Sequence, residues 1–356
     1  MPTSADLTCA ECHNDTHLIA SKTAAWELEA HGNGGAMVEE YARKDCAGCH
    51  SGNSFSAMIA AGQSFNQVEA GATEPARQDC RACHQVHTTY TGEDWALETT
   101  APVTMVVSGL TFDNGNSNLC ANCHQARRYM ANFVDKNDPT KYAATVRFNP
   151  HLSVQADFLM GSGGSGVEGK PGAHYAMLED SCVACHLGEG NNHLFEAQLA
   201  TCQGCHTDAE SLDVNGGITK VEERMAELKA ALQAAGLLDA DGAPVPGSYD
   251  EKQATALWNY GAIEEDASNG VHNPNYVNAL IDDGSLRALN LGSEIHFKRY
   301  LRILAVDLER YQRGDKKPEP DFDAMMALVF PMAPTPRVGV VATLKLATIA
   351  RQLNVK

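Results

Sequence analysis

The sequence predicts a mainly α-helical protein with little β-structure. Short helices and loops are expected over residues 1–210, followed by a helical C-terminal region over residues 211–356 that packs on them. Three observations support this class. One short cysteine motif recurs between residues 9 and 206. Aromatic residues make up only 6% of the chain, so bulky prosthetic groups could take the place of aromatic side chains in a large interior. Beyond residue 217, apolar residues recur at helical spacing.

The cysteine motif accounts for the first region. All 12 cysteines fall in Cys-x-x-Cys pairs, and a histidine directly follows each pair. Histidine is 14 of 356 residues, so six such coincidences are not chance. We number the motifs 1 to 6 in chain order: Cys9, Cys12 and His13; Cys46, Cys49 and His50; Cys80, Cys83 and His84; Cys120, Cys123 and His124; Cys182, Cys185 and His186; and Cys202, Cys205 and His206.

Cys-x-x-Cys-His is the attachment signature of a c-type haem. The two thiols add to the haem vinyl groups, and the histidine supplies an imidazole nitrogen to the iron. Zinc ribbons also use Cys-x-x-Cys pairs but do not require the histidine, and a disulfide framework belongs to short secreted chains. We therefore expect six haem c groups, held by the 12 cysteines, with the motif histidines as proximal iron ligands and with short helices and loops moulded to haem.

Charge and hydropathy restrict partners and location. The formal charge of −18 argues against nucleic acid, which needs a basic surface. No stretch predicts a membrane span, because the most apolar one, residues 324–350, is interrupted by Pro331, Pro334 and Arg337. Haem attachment of this kind occurs outside the cytoplasm. A soluble periplasmic or extracellular protein is expected, with redox proteins as partners and its signal peptide removed, since residues 1–9 do not resemble one.

The C-terminal region contains several helix signals. Thr219 and Glu222 have the spacing of a capping box, and the helix they predict ends at Gly236, with a buried stripe at Val221, Met225, Leu228 and Leu232. Ser248 and Glu251 predict a second capping box. Asn273 and Pro274 suit the first positions of a short helix through Ile281, and a further helix follows Ser293. Residues 161–172, rich in Gly and Ser, predict a flexible loop.

Eight histidines lie outside the motifs, and six irons with two axial histidines each would need six of them. His87 cannot complete the haem of His84, because three helical residues place both on the same side of the backbone. If it is a ligand, it serves another haem. The same argument separates His17 from His13, and packing is the expected role of His296. The eight are His17, His31, His87, His151, His174, His193, His272 and His296.

The chain resembles multihaem cytochromes c, distantly those of the pentahaem nitrite reductase and octahaem oxidoreductase group. The resemblance spans residues 7–283 and is carried by "AWELEAHGNG", "CRACHQVHTTYT", "NLCANCHQARR", "DSCVACHLGEGNNH" and "ALWNYGAIEEDASNGVHNPNYVNALI". It implies six distal ligands, which leave His17 and His296 over. These are His31, His87, His151, His174, His193 and His272.

Electron transfer is the function that this pattern favours, because irons with two histidine ligands have no open position for a substrate. Nitrite reductases mark their active haem with a lysine in place of the motif histidine, whereas all six motifs here end in histidine. Catalysis is therefore the less favoured alternative. It would use one five-coordinate haem, a small nitrogen or sulfur oxyanion as substrate, and an arginine such as Arg127, Arg128 or Arg147.

A third hypothesis is assembly into a homo-oligomer or extracellular filament. His17, near the start of the chain, is the candidate for capping an iron of a neighbouring subunit.

Overall fold

The structure is a computed structural model, and it describes residues 17–35, 40–188 and 190–289. By its contacts the chain divides into residues Met1–Arg287 and Ala288–Lys356, so nearly all described residues belong to the first unit. The division at residue 210 stays a prediction.

Part of the predicted haem machinery falls outside the described residues. All three members of motif 1 do so, namely Cys9, Cys12 and His13. Their expected roles, haem attachment for Cys9 and Cys12 and proximal ligation for His13, therefore stay predictions from the sequence. His296 and the helix expected after Ser293 also lie outside the described residues.

The described residues confirm the mainly helical class. Thirteen α-helices, most of them short, alternate with loops and with two sheets of two strands each. The helices are α1 (His17–Leu28), α2 (Ala30–Asn33), α3 (Lys44–His50), α4 (Gly52–Ala60), α5 (Cys80–Cys83), α6 (Asn118–Ala121), α7 (Gln155–Met160), α8 (Ala173–Ala176), α9 (Ser181–His186), α10 (Leu199–Gln203), α11 (Gly217–Ala234), α12 (Glu251–Asp266) and α13 (Pro274–Leu289). The strands are β1 (Val103–Thr104), β2 (Thr111–Phe112), β3 (Tyr142–Ala144) and β4 (Gly247–Tyr249).

The sheets are small antiparallel pairs. Strand β1 pairs with β2, and Val103 lies opposite Phe112. Strand β3 pairs with β4, so that Tyr142 lies opposite Tyr249. The second pair joins a segment between motifs 4 and 5 to the chain beyond motif 6, and it ties the C-terminal helices to the motif-bearing part.

Helix α11 differs from the prediction at its start. It begins at Gly217, so Thr219 lies inside its first turn and forms no capping box with Glu222. Asp213 supplies the cap instead: its Oδ1 accepts the Ile218 backbone N–H at 2.7 Å, and its Oδ2 accepts the Thr219 hydroxyl at 2.6 Å. The spacing of Thr219 and Glu222 was misleading because Asp213, six residues before Thr219, accepts the free backbone N–H at the start of the helix. The four residues of the predicted apolar stripe are buried, and each is at most 7% exposed: Val221, Met225, Leu228 and Leu232.

Helix α11 thus begins earlier than predicted, whereas helix α12 begins later. Its N-cap is Asp250, whose carboxylate accepts the Gln253 backbone N–H at 2.9 Å while the Gln253 side chain accepts from the Asp250 backbone. The predicted capping box of Ser248 and Glu251 is therefore wrong by two residues. Ser248 is instead part of β4, where it lies opposite Ala143, so the strand continues past it and the helix begins only after Asp250.

Helix α13 begins where the sequence predicts. Pro274 is its first residue, and the side chain of Asn273 accepts the Tyr276 backbone N–H at 3.2 Å. The helix extends to Leu289, well beyond Ile281. Asn273 is itself buried and donates to the carbonyls of Phe158 and Lys170. The segment just before α13 is thereby held firmly in place.

An aromatic cluster forms the core between α12 and the segment before α7. Trp258 and Phe148 are fully buried and meet edge to face, with ring centres 5.4 Å apart. The Trp258 indole N–H donates to the Gly163 carbonyl at 3.0 Å. Residues 161–172 contain no helix or strand. The Asn259 side chain accepts the Ser165 backbone N–H and donates to the Ser165 carbonyl, so contacts with α12 hold this loop in place.

Replacing Trp258 with alanine is expected to lower the free energy of unfolding by about 3–5 kcal/mol, the usual cost of removing a large buried aromatic side chain. Chemical denaturation of the holoprotein, followed by far-ultraviolet circular dichroism, measures it. Val146→Ala is the control, because Val146 is 61% exposed and its loss should change stability little. Equal effects of the two changes would contradict the assignment of Trp258 to the core.

Candidate haem sites

Each described motif contains or ends a short helical turn that brings its cysteines and its histidine to one face. In motif 3 the His84 backbone N–H donates to the Cys80 carbonyl at 2.8 Å. The same bond, from the histidine to the first cysteine, recurs in motif 4 at 2.9 Å and in motif 6 at 2.7 Å. Residues three and four apart on a helical turn are neighbours. Both thiols and the imidazole can therefore meet one flat ligand.

A second histidine faces every described motif histidine. In each case it comes from elsewhere in the chain, and the ring centres are 6.1–6.5 Å apart. We number these histidine pairs by their motifs: pair 2 is His50–His151, pair 3 is His84–His193, pair 4 is His124–His31, pair 5 is His186–His272 and pair 6 is His206–His174.

The separation within the pairs fits an iron between the two rings. An imidazole nitrogen binds a metal at about 2.0–2.1 Å, so two imidazoles on opposite sides of one ion have ring centres about 6.3 Å apart. Direct packing of two rings against each other also allows such distances, but it does not explain why one motif histidine takes part in every pair. The residues present therefore fit a bis-histidine haem at each of the five motifs.

The pairs line one continuous cavity of about 2220 Å³. Pockets for one drug-sized ligand are about 300–1,000 Å³, so this cavity suits several large groups rather than one. Its lining includes all ten histidines of the five pairs and every cysteine of motifs 3 to 6. The wall is otherwise largely apolar, with Phe55, Leu119 and Leu159 among its members. A porphyrin has large apolar faces, and this wall matches them.

Cysteines of different motifs touch inside the cavity. The Cys49 thiol of motif 2 makes a hydrogen-bonding contact with Cys123 of motif 4. Cys120, the other cysteine of motif 4, makes the same contact with Cys182 of motif 5. No disulfide joins any two of the ten described cysteines. Motifs 2, 4 and 5 thus form a series, with motif 4 in the middle.

The outer ring nitrogens of the facing histidines have different partners. His272 Nδ1 lies 2.6 Å from a carboxylate oxygen of Asp266, and His31 Nδ1 lies 2.9 Å from one of Glu29. Two others bond to backbone carbonyls: His174 to Val271 at 2.6 Å, and His193 to Asn191 at 2.8 Å. His151 Nδ1 is buried and has no partner among the described residues. An Nδ1 bond of this kind leaves Nε2 free for a metal.

The motif histidines show the same orientation in three pairs. His84 and His186 bond through Nδ1 to the carbonyls of Trp95 and Phe195, at 2.7 and 2.8 Å. His124 Nδ1 lies 3.1 Å from the side-chain oxygen of Gln155. The sequence motifs do not reveal these acceptors, nor Asp266 and Glu29. The only available signal was a carboxylate six or two residues before a ligand histidine, and that spacing is common.

Burial keeps two of the imidazoles neutral. It lowers the pKa of His124 to about 4, with a further contribution from His31. Burial and the charges of Arg127 and Arg128 lower the pKa of His151 to about 4. Burial also acts to lower the pKa of His272, but the charge and hydrogen bond of Asp266 raise it above its usual value. Neutral imidazole is the form that binds a metal, so His124 and His151 are ready to bind at neutral pH.

Two arginines stand beside pair 2. The guanidinium of Arg127 donates to the Asp45 carbonyl at 2.7 Å, and that of Arg128 donates to the Asn149 side chain at 2.9 Å. In both, the buried Nε–H has no partner among the described residues. Guanidinium groups with spare donors suit carboxylates such as haem propionates. Arg147, the third arginine suggested from the sequence, lies close enough for its charge to act on Arg128.

His87 lies apart from the five pairs. Its backbone is left-handed, with φ of 64°, and its ring stacks on that of Tyr90 with centres 5.4 Å apart. The buried carboxylate of Asp94 holds this turn, because it accepts the backbone N–H groups of His87 at 2.9 Å and of Thr89 at 2.7 Å. The ring that faces His84 is that of His193 and not that of His87.

The remaining candidates are placed as follows. His17 is the first residue of α1. His31 lies in the short helix α2, which Glu29 caps directly after α1 ends at Leu28. Among the described residues no group of three or more His, Cys, Asp and Glu side chains is arranged to hold a bare metal ion. None of the described helices has the length and apolar character needed to span a membrane.

Comparison with solved structures supports the fold. The outer cell wall cytochrome OcwA is similar to this chain with a TM-score of 0.50 and 18% sequence identity. The match covers 75% of this chain and 50% of OcwA. The chain therefore shares the fold of this part of OcwA. It spans about half the length of OcwA, so the likeness concerns architecture and not the activity of the whole relative.

A second solved structure, the undecaheme cytochrome from the S-layer of Carboxydothermus ferrireducens, is also similar to this chain. It has 18% identity and a TM-score of 0.43 over 76% of this chain and 40% of that cytochrome. No protein-family model and no curated protein matches the sequence.

Proposed function

We propose that this chain transfers electrons through six covalently attached c-type haems, each with two histidine ligands. The main support is that all five described motif histidines face a second histidine, with ring centres 6.1–6.5 Å apart. With both axial positions filled from the chain, no iron offers a place for a substrate. Electron exchange between the centres is then the chemistry that remains.

The proposed ligands follow from the pairs. The cysteines of each motif hold one haem, and the motif histidine binds its iron from one side. The facing histidine of each pair binds the same iron from the other side. For motifs 2 to 6 these are, in that order, His151, His193, His31, His272 and His174.

Motif 1 is completed by analogy with the other five. Cys9 and Cys12 are proposed to hold the sixth haem, with His13 as its proximal ligand, because they repeat the same motif. His87 is assigned to its second side, since the other five facing histidines are already used. This assignment agrees with the argument that His87 cannot share an iron with His84.

Haem iron supplies reversible one-electron exchange between the ferric and ferrous states. The Nδ1 bonds of the facing histidines orient their imidazoles, so these residues would hold the iron in the same way in both oxidation states. The touching thiols of Cys49 and Cys123, and of Cys120 and Cys182, would anchor neighbouring porphyrins side by side. Two histidine ligands favour low reduction potentials compared with His/Met ligation.

The C-terminal helices belong to the same assembly. The loop between α12 and α13 provides His272, and its Val271 carbonyl orients His174. We propose that residues 211–289 cover the haem-bearing part and fix two of its distal ligands. A location outside the cytoplasm is proposed as well, from the attachment chemistry and the outer cell wall setting named for OcwA. Redox proteins are the proposed partners.

Haem counting and electron paramagnetic resonance test the function. We expect six haems per chain by absorbance of the pyridine complex, and only low-spin ferric signals. The rings of pairs 4 and 6 are nearly perpendicular, at 72° and 78°, whereas those of pair 3 lie at 22°. Because the relative ring orientation sets the splitting of the iron d orbitals, the spectrum should contain both a large-g and a rhombic class.

A high-spin signal of one iron per chain would contradict the proposal and favour catalysis at an open haem. Zinc in place of haem would overturn it altogether. His174→Ala is a useful positive control, since removing the facing histidine of pair 6 should create one high-spin signal while leaving the number of haems at six.

A further inference from the structure

The charged groups around the histidine pairs change along the series of motifs 5, 4 and 2. Adjacent members of that series touch through their cysteines. A negative charge near a haem stabilises its ferric form and lowers its reduction potential, and a positive charge does the opposite. The three pairs can therefore be compared by the charges next to their imidazoles.

Pair 5 has the most negative surroundings. The side chain of Asp266 is 1% exposed, and its Oδ1 lies 2.6 Å from His272 Nδ1. The Ser268 hydroxyl donates to the other carboxylate oxygen and fixes its direction. An ionised carboxylate at this distance, with little water around it, draws the Nδ1 proton and makes Nε2 a stronger electron donor. On the opposite side, His186 bonds to a neutral carbonyl.

Pair 4 has a similar but weaker arrangement. Glu29 Oε2 lies 2.9 Å from His31 Nδ1, and the Glu29 side chain is 8% exposed. The same carboxylate also accepts the backbone N–H groups of His31 and Gly32, at 2.8 and 3.0 Å, which share its negative charge. Gln155, the partner of His124, is neutral.

Pair 2 has positive surroundings. His151 Nδ1 has no acceptor among the described residues, and the charges of Arg127 and Arg128 act directly on its ring. The carboxylate whose charge acts on His50 is that of Glu40, which is paired with Arg43 at 2.7 Å. Glu40 is balanced by Arg43, and Glu265 offsets part of the charge of Arg128, so Arg127 supplies most of the positive charge beside this pair.

We propose that Asp266 and Glu29 hold the reduction potentials of sites 5 and 4 below that of site 2, so that electrons run from motif 5 through motif 4 to motif 2. The inference rests on the proposed haem function and gives it a direction. In each transfer one electron leaves a reduced site, which becomes oxidised, and enters the next oxidised site. No proton moves, since the Nδ1 protons stay within their hydrogen bonds.

Potentiometric titration of the holoprotein, followed by optical and paramagnetic resonance spectra, tests the role of Asp266. In Asp266→Asn the amide oxygen still accepts the Nδ1 proton, so the ligand stays in position while the charge is lost. We expect about a tenfold change in one site's redox equilibrium toward the reduced form, an upward shift of about 59 mV for a one-electron couple. Glu29→Gln should raise a second low potential by a smaller amount.

Two further variants separate this role from general effects. Glu265→Gln removes a negative charge next to Asp266 in sequence, but Glu265 bonds to Asn149 and not to an imidazole. It should leave the low potentials unchanged. Arg128→Gln removes a positive charge near pair 2 and should lower one of the higher potentials instead. Retention of six low-spin haems shows that each variant is folded.

The proposed direction is overturned if Asp266→Asn and Glu29→Gln leave every potential unchanged, or if Arg128→Gln and Asp266→Asn move the same potential. In those cases six low-spin haems would still leave the electron-transfer function standing. A wild-type protein with fewer haems or with high-spin iron would instead remove the proposed function itself.

Discussion

Replacing both Cys120 and Cys123 with alanine is expected to remove one haem and to interrupt electron transfer between motifs 2 and 5. Motif 4 is the only member of the described series that touches both neighbours: Cys123 meets Cys49, and Cys120 meets Cys182. Without it, electrons would have to cross the width of a haem, and tunnelling falls exponentially with distance. The double variant should therefore show five haems by mass and much slower internal equilibration after rapid photoreduction.

The matched control is the double variant Cys202→Ala and Cys205→Ala, which removes the haem of motif 6. Motif 6 lies outside the series of motifs 5, 4 and 2, so this variant should also carry five haems but equilibrate among them nearly as fast as the wild type. Equal rates in the two five-haem variants would show that motif 4 is not the connecting site.

Produced without haem attachment, the chain is expected to lose the described fold. The five histidine pairs line a cavity of about 2220 Å³ with a mostly apolar wall. A cavity left by a single Leu→Ala change already costs about 2.7–5 kcal/mol, and the net stability of a domain is only about 5–15 kcal/mol. Short helices such as α5 and α8, of four residues each, have no stability of their own.

Circular dichroism of the purified apoprotein measures this loss. Helical signal should fall sharply, and no cooperative thermal transition should remain. The holoprotein prepared alongside serves as the control. A native-like spectrum with a cooperative transition in the apoprotein would show that the helices pack on one another without haem and would contradict the role of the cavity.

The sequence predicts the attachment sites because their chemistry is local. Cys80, Cys83 and His84 lie within one helical turn, so their spacing alone places both thiols and the imidazole on one face. The buried stripe of α11 was visible for the same reason, since helical periodicity is a property of neighbouring residues. The exclusion of His87 from the His84 iron stays a prediction, and its helical argument does not apply as made, because the helix ends at Cys83 and the backbone of His87 is left-handed.

Helix starts were predicted less well. Thr219 and Glu222 have capping-box spacing, yet Asp213 caps α11; Ser248 and Glu251 have the same spacing, yet Asp250 and Gln253 cap α12. A cap depends on which acceptor can reach the free N–H groups. The preceding loop decides that, and its path depends on packing elsewhere.

The sequence by itself predicts six covalent anchor points and a proximal imidazole at each, because these depend on residues at most four positions apart, and it contains enough further histidines for a second ligand at every predicted iron. Only the tertiary structure decided which histidine faces which motif, that motif 4 lies between motifs 2 and 5, and that Asp266 and Glu29 orient two of the ligands. The physical reason is that an iron's second ligand must approach from the opposite face of the porphyrin. It therefore comes from a distant part of the chain, and folding alone brings that part into place.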